Sequence, residues 1–113
     1  MKILVTGANG FLGHGVIEQL SKCNNEIIAS CLKSFDYNFP NVKVKAGDLF
    51  KIENPYDFFE KPDIVVHLAW KDGFKHSSET HIENLFNHYL FLKKMVDSGI
   101  KKIVVLGSMH EVG

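Results

Sequence analysis

The sequence has no excess of charge of either sign: 13 basic and 13 acidic residues leave a formal net charge of zero over 113 residues. No basic run is longer than a lysine pair, so the positive footprint needed to bind a phosphate backbone is missing and nucleic acid is not an expected partner. Cysteine is scarce. Cys23 and Cys31 make neither a CxxC pair nor a zinc spacing, which reads as two buried or half-buried free thiols in a reducing, cytoplasmic setting. No apolar stretch approaches the roughly 20 residues of a membrane span, and Gly7 breaks the apolar start too early for a signal-peptide core. His76, His81 and His88 lack clustered Cys, Asp or Glu at ligand spacing, so solvated histidines are expected rather than a metal site. Internal repeats and low-complexity tracts are lacking as well. What remains, at 45% apolar residues, is one globular domain.

Five apolar runs alternate with helical segments. Ile3-Leu4-Val5 ends in Thr6-Gly7 and reads as a strand buried on both faces. Leu12, Val16, Ile17 and Leu20 then recur at helical spacing until Asn24-Asn25. Glu26 to Cys31 is a second strand, and Val42 to Ala46 a third whose alternating lysines mark a wetter face. Ser34 to Asn41 between them is turn chemistry. Pro55 can open a short helix through Phe59, before a fourth strand over Ile64 to Leu68. Thr80-His81-Ile82-Glu83 has the form of a capping box, followed by Ile82, Leu85, Tyr89, Leu92 and Val96 along one helical face. Ser98-Gly99 stops that helix, and Lys102 to Leu106 is a fifth strand. Phe58-Phe59 and the Phe35, Tyr37, Phe39 series read as packing.

The pattern predicts an α/β fold: a Rossmann-type, doubly wound parallel sheet of strand order 3-2-1-4-5, truncated after the fifth strand. Residues 1–113 are expected to be the N-terminal portion of such a domain, the remainder lying elsewhere.

The chemistry is carried by Thr6-Gly7-Ala8-Asn9-Gly10-Phe11-Leu12-Gly13, a TGxxGxxG turn between the first strand and the first helix. Gly7 permits a tight turn, Gly10 lets the backbone approach a pyrophosphate, and Gly13 lets the helix pack closely. The helix N-terminus offers free N–H groups to the phosphates.

With these elements the chain resembles the extended short-chain dehydrogenase/reductases, which include nucleotide-sugar epimerases, dehydratases and 4-ketosugar reductases. The resemblance runs through TGANGFLG, through Gly47-Asp48-Leu49, through His67-Leu68-Ala69-Trp70, through Asn84, and through Leu106 to Gly113. It implies a cofactor-binding set of Gly7, Asn9, Gly10, Phe11, Leu12 and Gly13 in the turn. It adds Asp48 and Leu49 at the adenine, Leu68, Ala69 and Trp70 after the fourth strand, and Asn84 in a hydrogen-bond network near the active site. Trp70 brings a bulky ring where the family has a small residue. For Asp48 the alternative is a simple capped turn. Ser108 matches the catalytic serine that polarises the substrate carbonyl or hydroxyl; the alternative is a polar strand end. After the second strand, Lys33 with its flanking serines prefers NADP slightly over NAD, a solvated lysine being the alternative.

The resemblance implies hydride exchange at a hydroxyl or ketone carbon, with a nucleotide-linked sugar as the small-molecule substrate. The YxxxK pair that completes the family's site is expected beyond the fifth strand, past the last residue of this sequence, so the chain by itself is expected to be inactive. A non-catalytic dinucleotide-binding regulator or interaction module is the competing reading. Homo-oligomerisation is open, through helices or through an uncovered sheet edge.

Overall fold

The computed structural model describes residues 1–8, 11–31, 39–68 and 79–105, with only the backbone of 11, 12 and 79–85. Within them the order is β1 (Lys2–Thr6), α1 (Phe11–Ser21), β2 (Glu26–Cys31), β3 (Val42–Ala46), a 3-10 turn (Leu49–Lys51), α2 (Pro55–Phe58), β4 (Ile64–His67), α3 (Glu79–Ser98) and β5 (Lys102–Val105). The strands form one sheet in the order β3-β2-β1-β4-β5, every pair parallel. This is the sheet that the alternation of apolar runs and helices predicts.

Strand alternation divides the core into two layers. Ile3 and Val5 of β1 join Ile27 and Ala29 of β2 and pack with Ala8 and Ile17 on the α1 side. Leu4, Ile28 and Val65 point the other way, onto Leu49, Phe59, Phe91 and Met95. The central strand is fully enclosed: Leu4 and Val5 are both 0% exposed. Cys31 is buried in β2 as expected, whereas Cys23 is exposed just beyond α1.

The long helix ends as its sequence predicts. Gly99 takes a φ of 105°, its amide bonds Val96 O at 3.1 Å and the next amide bonds Met95 O at 3.1 Å, the doubled closure that a left-handed glycine allows. Its start and its rotation differ from the sequence expectation. The helix begins at Glu79, so Thr80 is already inside the first turn rather than capping it. The buried side carries His88, Phe91 and Met95, while Tyr89 and Val96 are exposed. Leu92, on the expected face, does pack against the core, and the side chains of Ile82 and Leu85 lie outside the described ones. An apolar-only count treats His88 as polar and so centres the stripe toward Tyr89 and Val96 instead of His88 and Met95. The buried face combines Phe91 and Met95, which join the apolar core, with His88, which meets a polar partner in His67.

Phe58 and Phe59 meet edge to face at 4.9 Å, yet only Phe59 is fully buried, while Phe58 stays 38% exposed. We expect Phe59→Ala to cost about 3–5 kcal/mol and Phe58→Ala far less. Urea unfolding of the two variants checks this, and equal losses would contradict the packing described.

Candidate functional site

One face of the sheet changes character at its carboxyl end. Leu4 pairs with Ile28 on one side and Val65 on the other, and two residues further on Thr6 pairs with Ser30 and His67. Side chains two apart share a face. The apolar row is therefore followed by a polar one, and Thr6, Ser30 and His67 are all at most 1% exposed. Helix α3 adds a fourth buried polar group, His88, also 1% exposed.

Buried polar groups require partners, and these groups supply one another. The Leu68 amide donates to Thr6 Oγ1 at 2.9 Å. Thr6 Oγ1 and His67 Nδ1 are 2.8 Å apart, and His67 Nε2 lies 2.8 Å from His88 Nδ1. Since Thr6 Oγ1 already accepts from Leu68, its own proton can go to His67 Nδ1. A neutral His67 then donates from Nε2 to His88. The reverse polarity requires Thr6 to accept twice. Aromatic rings fix both imidazoles: Phe91 stacks on His67 at 5.1 Å, and Phe50 meets His88 edge-on at 4.8 Å. Burial first, and the neighbouring His88 second, push the His67 pKa down to about 3, so its ring is neutral at pH 7. The expectation of a solvated histidine is thus corrected for His88.

Next to this row stands the glycine turn. Gly7 has φ 67°, a left-handed conformation that disfavours any side chain. The Ala8 amide is tied to Ser30 O on β2 at 3.1 Å. A Cβ on Gly13 would strike the Gly7 carbonyl oxygen and lie 2.7 Å from that of Ala8. By contrast, a Cβ on Gly15 would meet nothing within 4 Å. Close approach of helix to turn thus requires glycine at position 13 but not at 15. The first turn of α1 carries no acidic residue, so the positive end of the helix dipole faces this turn without local competition, as an anion site needs. Turn and helix end fit a dinucleotide pyrophosphate.

Asp48 stands at the carboxyl end of β3, half-buried. Its Oδ1 accepts from the Phe50 amide at 3.0 Å, making Asp48 the cap of the 3-10 turn, and among the described residues no donor reaches its second oxygen. Leu49 is buried at 8% exposure in the core. Leu68 is half-buried, its amide held by Thr6. Phe11, Leu12 and Asn84 are placed as helix backbone only, and Asn9, Gly10, Lys33, Ala69, Trp70 and Ser108 lie outside the described residues. His88 is the site residue that sequence reasoning missed. Its three- and seven-residue spacing from Phe91 and Met95 was the available signal.

The model of the NAD dependent epimerase/dehydratase family matches residues 3–113. A dTDP-6-deoxy-L-talose 4-dehydrogenase (NAD(+)) from Aggregatibacter actinomycetemcomitans is 38% identical across the whole chain, which spans 43% of that relative's length. Among solved structures, UDP-glucose 4-epimerase from Thermotoga maritima superposes with a TM-score of 0.73 at 24% identity, covering 93% of this chain and 37% of that one. MoeE5 in complex with UDP-glucose and NAD gives 0.79 at 24% identity, covering 100% and 38%. At that identity the two structures establish the shared fold.

The depressed His67 pKa has a signed consequence. Below the ordinary value of 6.5 the unfolded chain takes up a proton that the native ring refuses until about pH 3. Its contribution is therefore complete above pH 6.5 and is lost as pH falls, by up to about 1.4 kcal/mol per pH unit. Asp63, held low first by the Lys2 amide, and Glu60, held low first by its hydrogen bond from Lys43, are both shifted down from ordinary carboxylate values and so do not titrate between pH 7.5 and 5.5. Urea midpoints should fall between pH 7.5 and 5.5, and less so in His67→Gln. Identical slopes in the two proteins would contradict a neutral buried ring.

Proposed function

We propose that this chain, which belongs to the NAD dependent epimerase/dehydratase family, is the dinucleotide-holding portion of an oxidoreductase, epimerase or dehydratase acting on a nucleotide-linked sugar in the cytoplasm. The observation that carries the reading is the Gly13 approach, where helix and turn carbonyls leave no room for a Cβ. A turn this tight would bring backbone amides to the position where a pyrophosphate sits in sheets of this order. Gly7, Gly10 and Gly13 with the α1 N-terminus would hold the phosphates, assisted by the backbone of Asn9, Phe11 and Leu12. The second oxygen of Asp48 would accept the adenine amino group, with Leu49 beside the ring. Leu68, Ala69, Trp70 and Asn84 would border the nicotinamide end.

When bound, the nicotinamide supplies the hydride acceptor or donor. The protein's part is to orient and to polarise. Ser108, following β5, would donate a hydrogen bond to the substrate carbonyl or hydroxyl and draw charge from the carbon that exchanges hydride. Support for the sugar class comes from the relative at 38% identity, named for a dTDP-linked deoxysugar and NAD(+). Lys33 would pair with a 2′-phosphate and shift the preference modestly toward NADP.

Calorimetric titration with NAD and NADP tests the reading. Gly15→Ala should bind like wild type, whereas Gly13→Ala should lose about 1–3 kcal/mol of stability through overpacking and lose cofactor binding with it. Undiminished binding by Gly13→Ala, or no dinucleotide binding by wild type, would overturn the assignment. In the same assay Lys33→Glu should weaken NADP much more than NAD, since it replaces an attraction to the 2′-phosphate by a repulsion. A parallel loss for both would remove Lys33 from the 2′-phosphate site.

A further inference from the structure

We propose that His88 is a positioning residue for the cofactor: through His67 and Thr6 it ties helix α3 to the carboxyl ends of β1 and β4 and so holds the glycine turn and the Leu68 segment in binding geometry. The inference rests on the dinucleotide reading above and assigns a role to three side chains that the reading leaves unused.

Place in the fold is the first argument. In the order β3-β2-β1-β4-β5 the chain winds outward in both directions from the β1–β4 pair. Ligands of open α/β sheets bind in the crevice above that pair, beyond the carboxyl ends. The β1–β4 ladder ends at Thr6 opposite His67, and the next residues of the two strands are Gly7 of the turn and Leu68. Thr6 Oγ1 extends the pairing one step past the ladder by accepting the Leu68 amide at 2.9 Å. The relay therefore lies directly beneath the crevice.

The second argument is selectivity. Two residues lower, the same helix and the same strands are held by Leu4, Val65, Phe91 and Met95, all apolar. Apolar packing thus suffices to seat α3. A polar row has a desolvation cost that apolar side chains avoid, and here it stands only at the carboxyl end, where two loop segments must be fixed in direction as well as in depth. Hydrogen bonds supply direction. The rings cannot swivel freely, since Phe91 stacks on one and Phe50 meets the edge of the other.

The third argument is connection. His88 bonds this row from α3, and it stands one helical turn after Asn84 on the same helix. Fixing the rotation of α3 at His88 fixes which way position 84 faces. A displacement of α3 would reach Leu68 through two side-chain contacts of 2.8 Å and one of 2.9 Å.

The test compares NAD dissociation constants in the full chain for wild type, His88→Leu and His88→Asn, at a temperature where melting curves show each protein folded. Asparagine keeps a polar atom where Nδ1 stands, while leucine keeps only bulk. We expect His88→Asn to bind within about threefold of wild type and His88→Leu to bind about tenfold more weakly, the factor of one hydrogen bond. Should His88→Leu fail to fold, Thr6→Val and Thr6→Ser decide. Valine removes Oγ1 at nearly constant shape and should weaken NAD similarly, and serine should restore it. Leucine binding as tightly as wild type, or asparagine binding as weakly as leucine, would overturn the relay while leaving the cofactor reading intact. Absence of NAD binding by wild type would overturn both.

Discussion

Two buried imidazoles, hydrogen-bonded to each other in the interior, set the terms for the rest of this molecule. His67 and His88 are at most 1% exposed with ring nitrogens 2.8 Å apart, and a buried ring left without partners would lose more than a single bond is worth. The rotation of α3, the side on which the strands turn polar and the position of the segment after β4 all satisfy that requirement. The opposite, amino-terminal end of the sheet is organised differently. There Asp63 accepts a hydrogen bond from the Lys2 amide at 3.0 Å and the Lys101 amide donates to the Asp63 carbonyl at 3.1 Å, half-buried chemistry that aligns strand starts.

The sheet was legible because its evidence is periodic. Strands buried on both faces read as unbroken apolar runs, and the lysines alternating through Val42–Ala46 marked the outer strand. Gly7 and Gly13 were legible because each meets a steric demand, which the Gly13 contacts and the Gly7 φ bear out. The rotation of α3 was not legible. Hydropathy counts a histidine as polar and does not show that His67 on β4 gives a buried His88 a hydrogen-bond partner. Asp48 likewise acts first as a local cap, and its spacing alone left that role and a ligand-binding one both open.

Membership of the NAD dependent epimerase/dehydratase family gives this architecture a purpose consistent with its physics. The groups that fold the carboxyl ends of β1 and β4 are also those that would set the walls of a dinucleotide crevice. Stability and binding geometry draw on the same hydrogen bonds, and these are concentrated at one end of the sheet.

The most direct measurement is a heteronuclear NMR titration of the isotope-labelled chain with NAD, following backbone amides and histidine rings together. The account predicts that shifts concentrate at Gly7, Ala8, Gly13, Asp48, Leu68 and the His67 and His88 rings, with Asp63, Lys101 and Lys102 unmoved. Shifts centred on the amino-terminal end of the sheet, or spread over the exposed face of α3, would contradict it.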